Sequence, residues 1–202
     1  MTKQLMQSIA IVFHPLLMPT FSFLLINAIL PELIRPQGWI MIPFLFITTF
    51  LIPLFGVSIL RYSGSISSLS LENREERFLP FLFVTIFYCI TTVMFVMKIE
   101  MNGTISIILI TTTLLIFILM LVSLFYKISI HAAGVGGVVG FLAVLASNHP
   151  ESGMIGALLV SIILSGLVMS SRLYLNVHTP REILAGSVLG ILICFGSMYF
   201  FG

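Results

Sequence analysis

TISIILITTTLLIFILMLVSLFY, residues 104–126, decides the fold class. It runs for 23 residues without a charged side chain. About 20 mostly apolar residues in a helix cross the roughly 30 Å hydrocarbon core of a bilayer. The rest of the chain has the same character. Of 202 residues, 59% are hydrophobic and only 8% are charged, against about 25% charged in an ordinary soluble domain. So few charges cannot cover the surface of a soluble protein of this size, and lipid is the expected solvent. Six further segments have the length and composition of spans: 8–30, 38–60, 79–97, 131–146, 153–170 and 183–201. The first contains His14, Pro15 and Pro19 and is expected to be kinked, re-entrant or partly interfacial. The fifth is short and glycine-rich, and Ser129 and Ile130 can extend it. The expectation is an all-α polytopic transmembrane bundle of six or seven spans, with residues 1–202 forming one integral membrane domain.

Several function classes drop out. A net charge of +2 with no basic run gives nucleic acid nothing to bind. Aspartate is absent, which removes aspartyl-phosphate chemistry and aspartate-built metal sites. Cys89 and Cys194 sit inside apolar runs and read as small buried hydrophobes. No Cys/His cluster has ligand spacing, so neither a metal nor another cofactor is expected. The N-terminal stretch lacks a small-residue cleavage site and reads as membrane segment rather than removed signal. No internal repeat of the transporter kind is evident.

Alternation of spans sorts the polar residues by membrane face. Let the near face be the one where the second span ends, at Arg61. Spans three to six, each crossing once, then bring Arg74 and Arg77, Lys127 to His131, and Ser171 to His178 to that same face. The far face receives Arg35, Lys98 to Glu100, and Asn148 to Glu151. Charges at membrane depth are costly and are usually paired, interfacial or functional. Arg77, Lys127 and Arg172 beside His131 and His178 suit a phosphate, which guanidinium groups bind in bidentate fashion. Ser129 and Thr179-Pro180 stand where helices begin, and free backbone N–H groups there favour an anion. Two histidines beside a phosphate divide the work: one attacks phosphorus, the other protonates the leaving alkoxide. The attacking imidazole needs an acceptor at its other nitrogen. Glu182, one helical turn after His178, can reach back to it.

These residues carry a resemblance. "SRLYLNVHTPRE", residues 171–182, resembles the third signature of the type 2 phosphatidic acid phosphatase (PAP2) superfamily: Ser-Arg, five residues, His, three residues, Asp. The spacing matches, with Glu182 in place of Asp. "KISIHAAG", residues 127–134, keeps the Ser-x-His of the second signature at Ser129 and His131, while Ile128 and Ile130 replace its Pro and Gly. For the first signature, Arg77 and Pro80 are in place and Ser70 stands where the lysine would be. The likeness covers residues from about 74 to 202. It implies a PAP2-like helical core, a metal-independent lipid phosphatase, His178 as nucleophile and His131 as general acid. It also implies phosphate binding by Arg77, Ser129, Ser171 and Arg172. Charge and position suggest Lys127 as a substitute for the missing lysine. The expected partners are a lipid phosphate and the surrounding membrane lipid. Members act on phosphatidic acid, phosphatidylglycerol phosphate, prenyl diphosphates, lipid A phosphates and sphingolipid phosphates.

Plainer readings stand beside these. "TPRE" is a capping box, with Thr179 as N-cap and Glu182 at N3, so Glu182 either caps, orients His178, or does both. His14-Pro15 reads as a kink beside a packed or interfacial histidine. Glu75 and Glu76 read as partners for nearby arginines. Gly134 to Gly140, Gly186 and Gly190 read as close helix–helix contacts. A phospholipid-binding or transport protein without catalysis is the alternative function. An ion path is disfavoured because the polar residues gather at one face. Bacterial relatives imply the inner membrane, with the site facing the periplasm. Counting Lys and Arg puts the near face in the cytoplasm instead, because it holds Lys3, Arg61, Arg74, Arg77, Lys127, Arg172 and Arg181 against Arg35 and Lys98.

Overall fold

The computed structural model describes residues 3–34, 38–68, 74–98 and 102–202. Ser70, Arg35 and Glu100 lie outside them. The described residues form helices and turns and no strand. Seven helical segments among them are long and apolar enough to cross a membrane, so the chain is an integral membrane protein with seven candidate spans. The first segment, Lys3–Ile29, is one of the seven.

That first span is broken. Helix α1 (Lys3–Val12) stops before His14, a single 3-10 turn covers Pro15–Leu17, and α2 (Met18–Ile29) resumes. Pro15 and Pro19 cannot donate to a continuous ladder, so the helix has to restart here. His14 caps the short turn, its Nδ1 accepting from the Leu16 N–H at 3.3 Å. The second span joins α3 (Gly38–Phe46) to α4 (Ile52–Tyr62) through a π-helical stretch, Ile47–Leu51. Pro43 lies inside α3 and Pro53 at the start of α4. The Thr48 and Thr49 hydroxyls donate to the Phe44 and Leu45 carbonyls, at 3.0 and 2.8 Å, within the reorganised ladder.

The remaining spans are regular. Helices α5 (Phe78–Lys98) and α6 (Gly103–Ser123) pair through a hydroxyl contact of 2.7 Å between Thr92 and Thr113. Helices α7 (Ile130–Asn148), α8 (Met154–Tyr174) and α9 (Pro180–Phe201) follow. The α7–α9 pair is the tightest contact in the bundle. A methyl at Gly136 would lie 2.6 Å from the Ser187 carbonyl oxygen, and one at Gly140 would lie 2.8 Å from that of Ile191. Methyls at Gly186 and Gly190 would collide with the carbonyls of Ser129 and Ala133. Both helices therefore carry a Gly-x3-Gly edge, and their backbones touch. In lipid, where burial of apolar surface gives no drive between helices, such packing is the source of affinity. It also sets the site, because the first turns of α7 and α9 carry His131 and Glu182.

Candidate functional site

The loop between α8 and α9 is held from both ends. Helix α8 closes with Asn176 N–H donating to the Leu173 carbonyl at 2.9 Å and Val177 N–H to that of Arg172 at 3.3 Å. Asn176 has φ of 54°, the left-handed conformation that Asn tolerates better than most side chains. Together these form a Schellman stop. Two residues later Thr179 starts α9. Its Oγ1 accepts from Glu182 N–H, and its own N–H donates to Glu182 Oε2, both at 3.3 Å. His178 is fixed between the two caps.

Glu182 caps and orients at once. The same Oε2 that takes the Thr179 N–H lies 2.7 Å from His178 Nδ1. A carboxylate only accepts, so Nδ1 carries the proton and Nε2 presents its lone pair. The extra methylene of Glu relative to Asp does not prevent the contact. Burial pushes the His178 imidazole below its ordinary value, and the Arg77 and Arg172 charges add to that, against the hydrogen bond to Glu182. His178 therefore stays neutral to lower pH than a free histidine.

Arg77, 2% exposed, begins the third span and donates from Nη1 to the Ile128 carbonyl at 3.0 Å. Arg74 donates to the Phe125 carbonyl at 2.8 Å. The turn Arg74–Arg77 is thus tied to the connection between α6 and α7. Arg172, 9% exposed in the last turn of α8, is electrostatically central: its charge acts on His14, His131, Arg77 and His178. His131, in the first turn of α7, donates from Nε2 to the Ala10 carbonyl at 3.1 Å, which leaves Nδ1 as its second ring position.

A cavity of about 540 Å³ gathers these groups. Arg77, His131, Arg172 and His178 all border it. Four of the eight residues singled out in the sequence therefore converge on one space. The other four do not line it. Ser129 is fully buried as the N-cap of α7. Its Oγ accepts from Ala132 N–H at 3.4 Å, and its N–H donates to the Glu182 carbonyl at 3.2 Å. Ser171, also fully buried, donates its hydroxyl to the Val168 carbonyl at 2.7 Å. Glu182 stands behind His178, and Lys127 lies within electrostatic reach of Glu182. Glu76 accepts from the backbone N–H and hydroxyl of Ser67, at 2.7 and 2.8 Å.

Sequence reasoning missed one wall residue. His14 borders the cavity, and its ring meets that of His131 edge-on, with centroids 5.6 Å apart. The break in the first span is what turns it inward. Its signal was an ionisable side chain at membrane depth, which by default marks function. Among the described residues no group of three His, Cys, Asp or Glu side chains is arranged to hold a metal ion. No protein-family model matches the chain, and no curated protein or solved structure matches it either.

Proposed function

We propose that this protein is a membrane-embedded, metal-independent lipid phosphatase of the type 2 phosphatidic acid phosphatase kind, working through a phosphohistidine in a bacterial inner membrane. One observation carries the reading: two arginines and two histidines, from three spans and the loop between α8 and α9, border one cavity, and His178 is oriented by a carboxylate at 2.7 Å.

In this reading the guanidinium groups of Arg77 and Arg172 hold the phosphate oxygens. His178 Nε2 attacks phosphorus, forming a P–N bond as the P–O bond to the lipid breaks. The leaving alkoxide takes a proton from His131. Because His131 Nε2–H is engaged by Ala10, that proton comes from Nδ1 of the imidazolium form, which the negative charge of the bound phosphate favours. Water then attacks phosphorus, giving its proton to the vacated Nδ1 of His131, as the P–N bond breaks; inorganic phosphate leaves and both histidines are restored. Glu182 keeps the attacking tautomer in place throughout.

A second reading is a lipid-phosphate binder without catalysis. It is favoured by the position of Lys127, Ser129 and Ser171 away from the cavity wall. Phosphate release from a panel of lipid phosphates, in detergent with chelator present, separates the two. The phosphatase releases phosphate, and His178→Ala abolishes release. Binding without release by the parent protein supports the binder, and full activity in His178→Ala refutes the nucleophile. Activity lost to chelator and restored by a divalent ion refutes the metal-free chemistry.

A further inference from the structure

We propose that His14 is a further phosphate ligand, its Nε2–H donating to an oxygen of the bound phosphate as a neutral partner to the two arginines. The proposal rests on the reading of Arg77 and Arg172 as phosphate ligands, and it adds a group from the first span.

The break in that span fixes the ring. Pro15 disfavours the helical conformation for the residue before it. His14 is accordingly extended, with φ of −63° and ψ of 136°. Its Nδ1 accepts from the Leu16 N–H at 3.3 Å. The Phe50 ring of the second span meets it edge-on, with centroids 6.4 Å apart, and the His131 ring does so at 5.6 Å. Gly134, one turn after His131, lets the break lie against α7. A methyl there would be 3.3 Å from Met18 Cγ and 3.6 Å from Pro15 Cα. One turn before His14, the Ala10 carbonyl takes the His131 Nε2–H. The end of α1 therefore places His14 and holds His131 together.

Hydrogen bonding decides what the ring offers. A neutral imidazole has one acceptor nitrogen and one donor nitrogen. The cap commits Nδ1 as acceptor, so the proton is on Nε2. A second proton, on Nδ1, would break the cap. Among the described residues no protein group accepts from Nε2, and protein does not seal it off. The ring borders the same cavity as Arg77, His131, Arg172 and His178. The guanidinium groups there only donate, so the acceptor has to come from what the cavity binds. Phosphate is rich in acceptors. A neutral donor also adds a hydrogen bond without adding a third cation at membrane depth, where charge is costly.

Asn and Gln separate the two ring nitrogens. Asn puts an amide oxygen near the place of Nδ1 and can keep the cap. Gln puts an amide nitrogen near the place of Nε2 and can donate into the cavity. Full-length protein in detergent is titrated with a long-chain alkylphosphonate, which has no P–O bond to the lipid to break. His14→Asn should bind it roughly 10–100-fold more weakly than the parent, as for one lost hydrogen bond to a charged group, with Tm unchanged. His14→Gln should recover most of that loss, while its Tm falls by about 2–4 °C for want of the cap. Inorganic phosphate, as competitor, should rank the three proteins in the same order. Equal binding by the parent and His14→Asn, or no recovery in His14→Gln, overturns the proposal and leaves His14 as a cap. A loss seen with the phosphonate but not with inorganic phosphate sets His14 against the chain and overturns it too. If the parent releases no phosphate but the binding order holds, the phosphatase falls and this ligand stands. If the parent releases phosphate and His14→Asn matches it in binding, the ligand falls and the phosphatase stands.

Discussion

Helices α7 and α9 meet backbone to backbone along two uninterrupted spans, whereas the two spans built from α1 to α4 are broken around His14–Leu17 and through the π-helical Ile47–Leu51. Both regions wall the same cavity. The C-terminal pair holds His131, His178 and Glu182 through glycine contacts, two helix caps and the Ser129–Glu182 backbone bond. The N-terminal region reaches the site through breaks, and one of these turns His14 onto His131. In the proposed reading, the residues that need fixed geometry sit on the rigid pair.

Substitutions on the rigid side should therefore be the most damaging. After loss of His178 itself, Glu182→Gln has the largest expected effect on rate. It keeps an acceptor for the Thr179 cap but removes the charge that orients His178. Phosphate release should fall on the order of 10²–10⁴-fold, as when a carboxylate-oriented histidine loses its partner. The pH profile adds a sign. His178 must be neutral to attack, and its value already lies below about 6.5. The Glu182 hydrogen bond raises it, so the acid limb in Glu182→Gln should move to still lower pH. A structural role alone would leave the limb in place.

Gly190→Ala comes next. Its new methyl meets the Ala133 carbonyl, and the helices must part. The cost should be about 1–3 kcal/mol, seen as a lower Tm in detergent. Gly196→Ala is the same change on the same helix, with nothing within 4 Å. It should be neutral or stabilise by about 0.5–1 kcal/mol. Equal effects at the two positions would show that backbone contact with α7 is not what holds this pair rigid.

Asn176→Ala is smaller. It forces an alanine to φ of 54° in the stop that precedes His178. A loss of about 1–2 kcal/mol is expected, while Asn176→Gly should be nearly neutral. Lys127→Ala is the smallest. Lys127 is half-buried and lies off the cavity wall, so phosphate release should fall no more than about threefold, as for a weak, partly screened charge interaction of about 0–1 kcal/mol. A loss as large as that of Arg172→Ala would restore Lys127 to the phosphate site.

The same contrast explains what could be read from the sequence. The spans were legible because length and hydropathy are local properties, and boundaries shifted by only a few residues. The Arg172, His178 and Glu182 cluster was legible because a Schellman stop and a capping box, both local, set its geometry. The Gly-x3-Gly edges were visible for the same reason. His14 was not, since its place depends on where a break points the chain and on a contact with a helix far along the sequence. Ser129, Ser171 and Lys127 show the opposite limit. Their residue types and spacing suited a phosphate, but spacing does not reveal side-chain direction, and both serine hydroxyls serve their own helices.

The central claim is that His178 becomes phosphorylated during turnover. Rapid mixing of the detergent-solubilised protein with a lipid phosphate labelled on phosphorus, followed by a denaturing quench, tests it directly. The account predicts label on His178 that survives base and is lost in acid, and none in His178→Ala. Steady phosphate release with no label on His178 would contradict it.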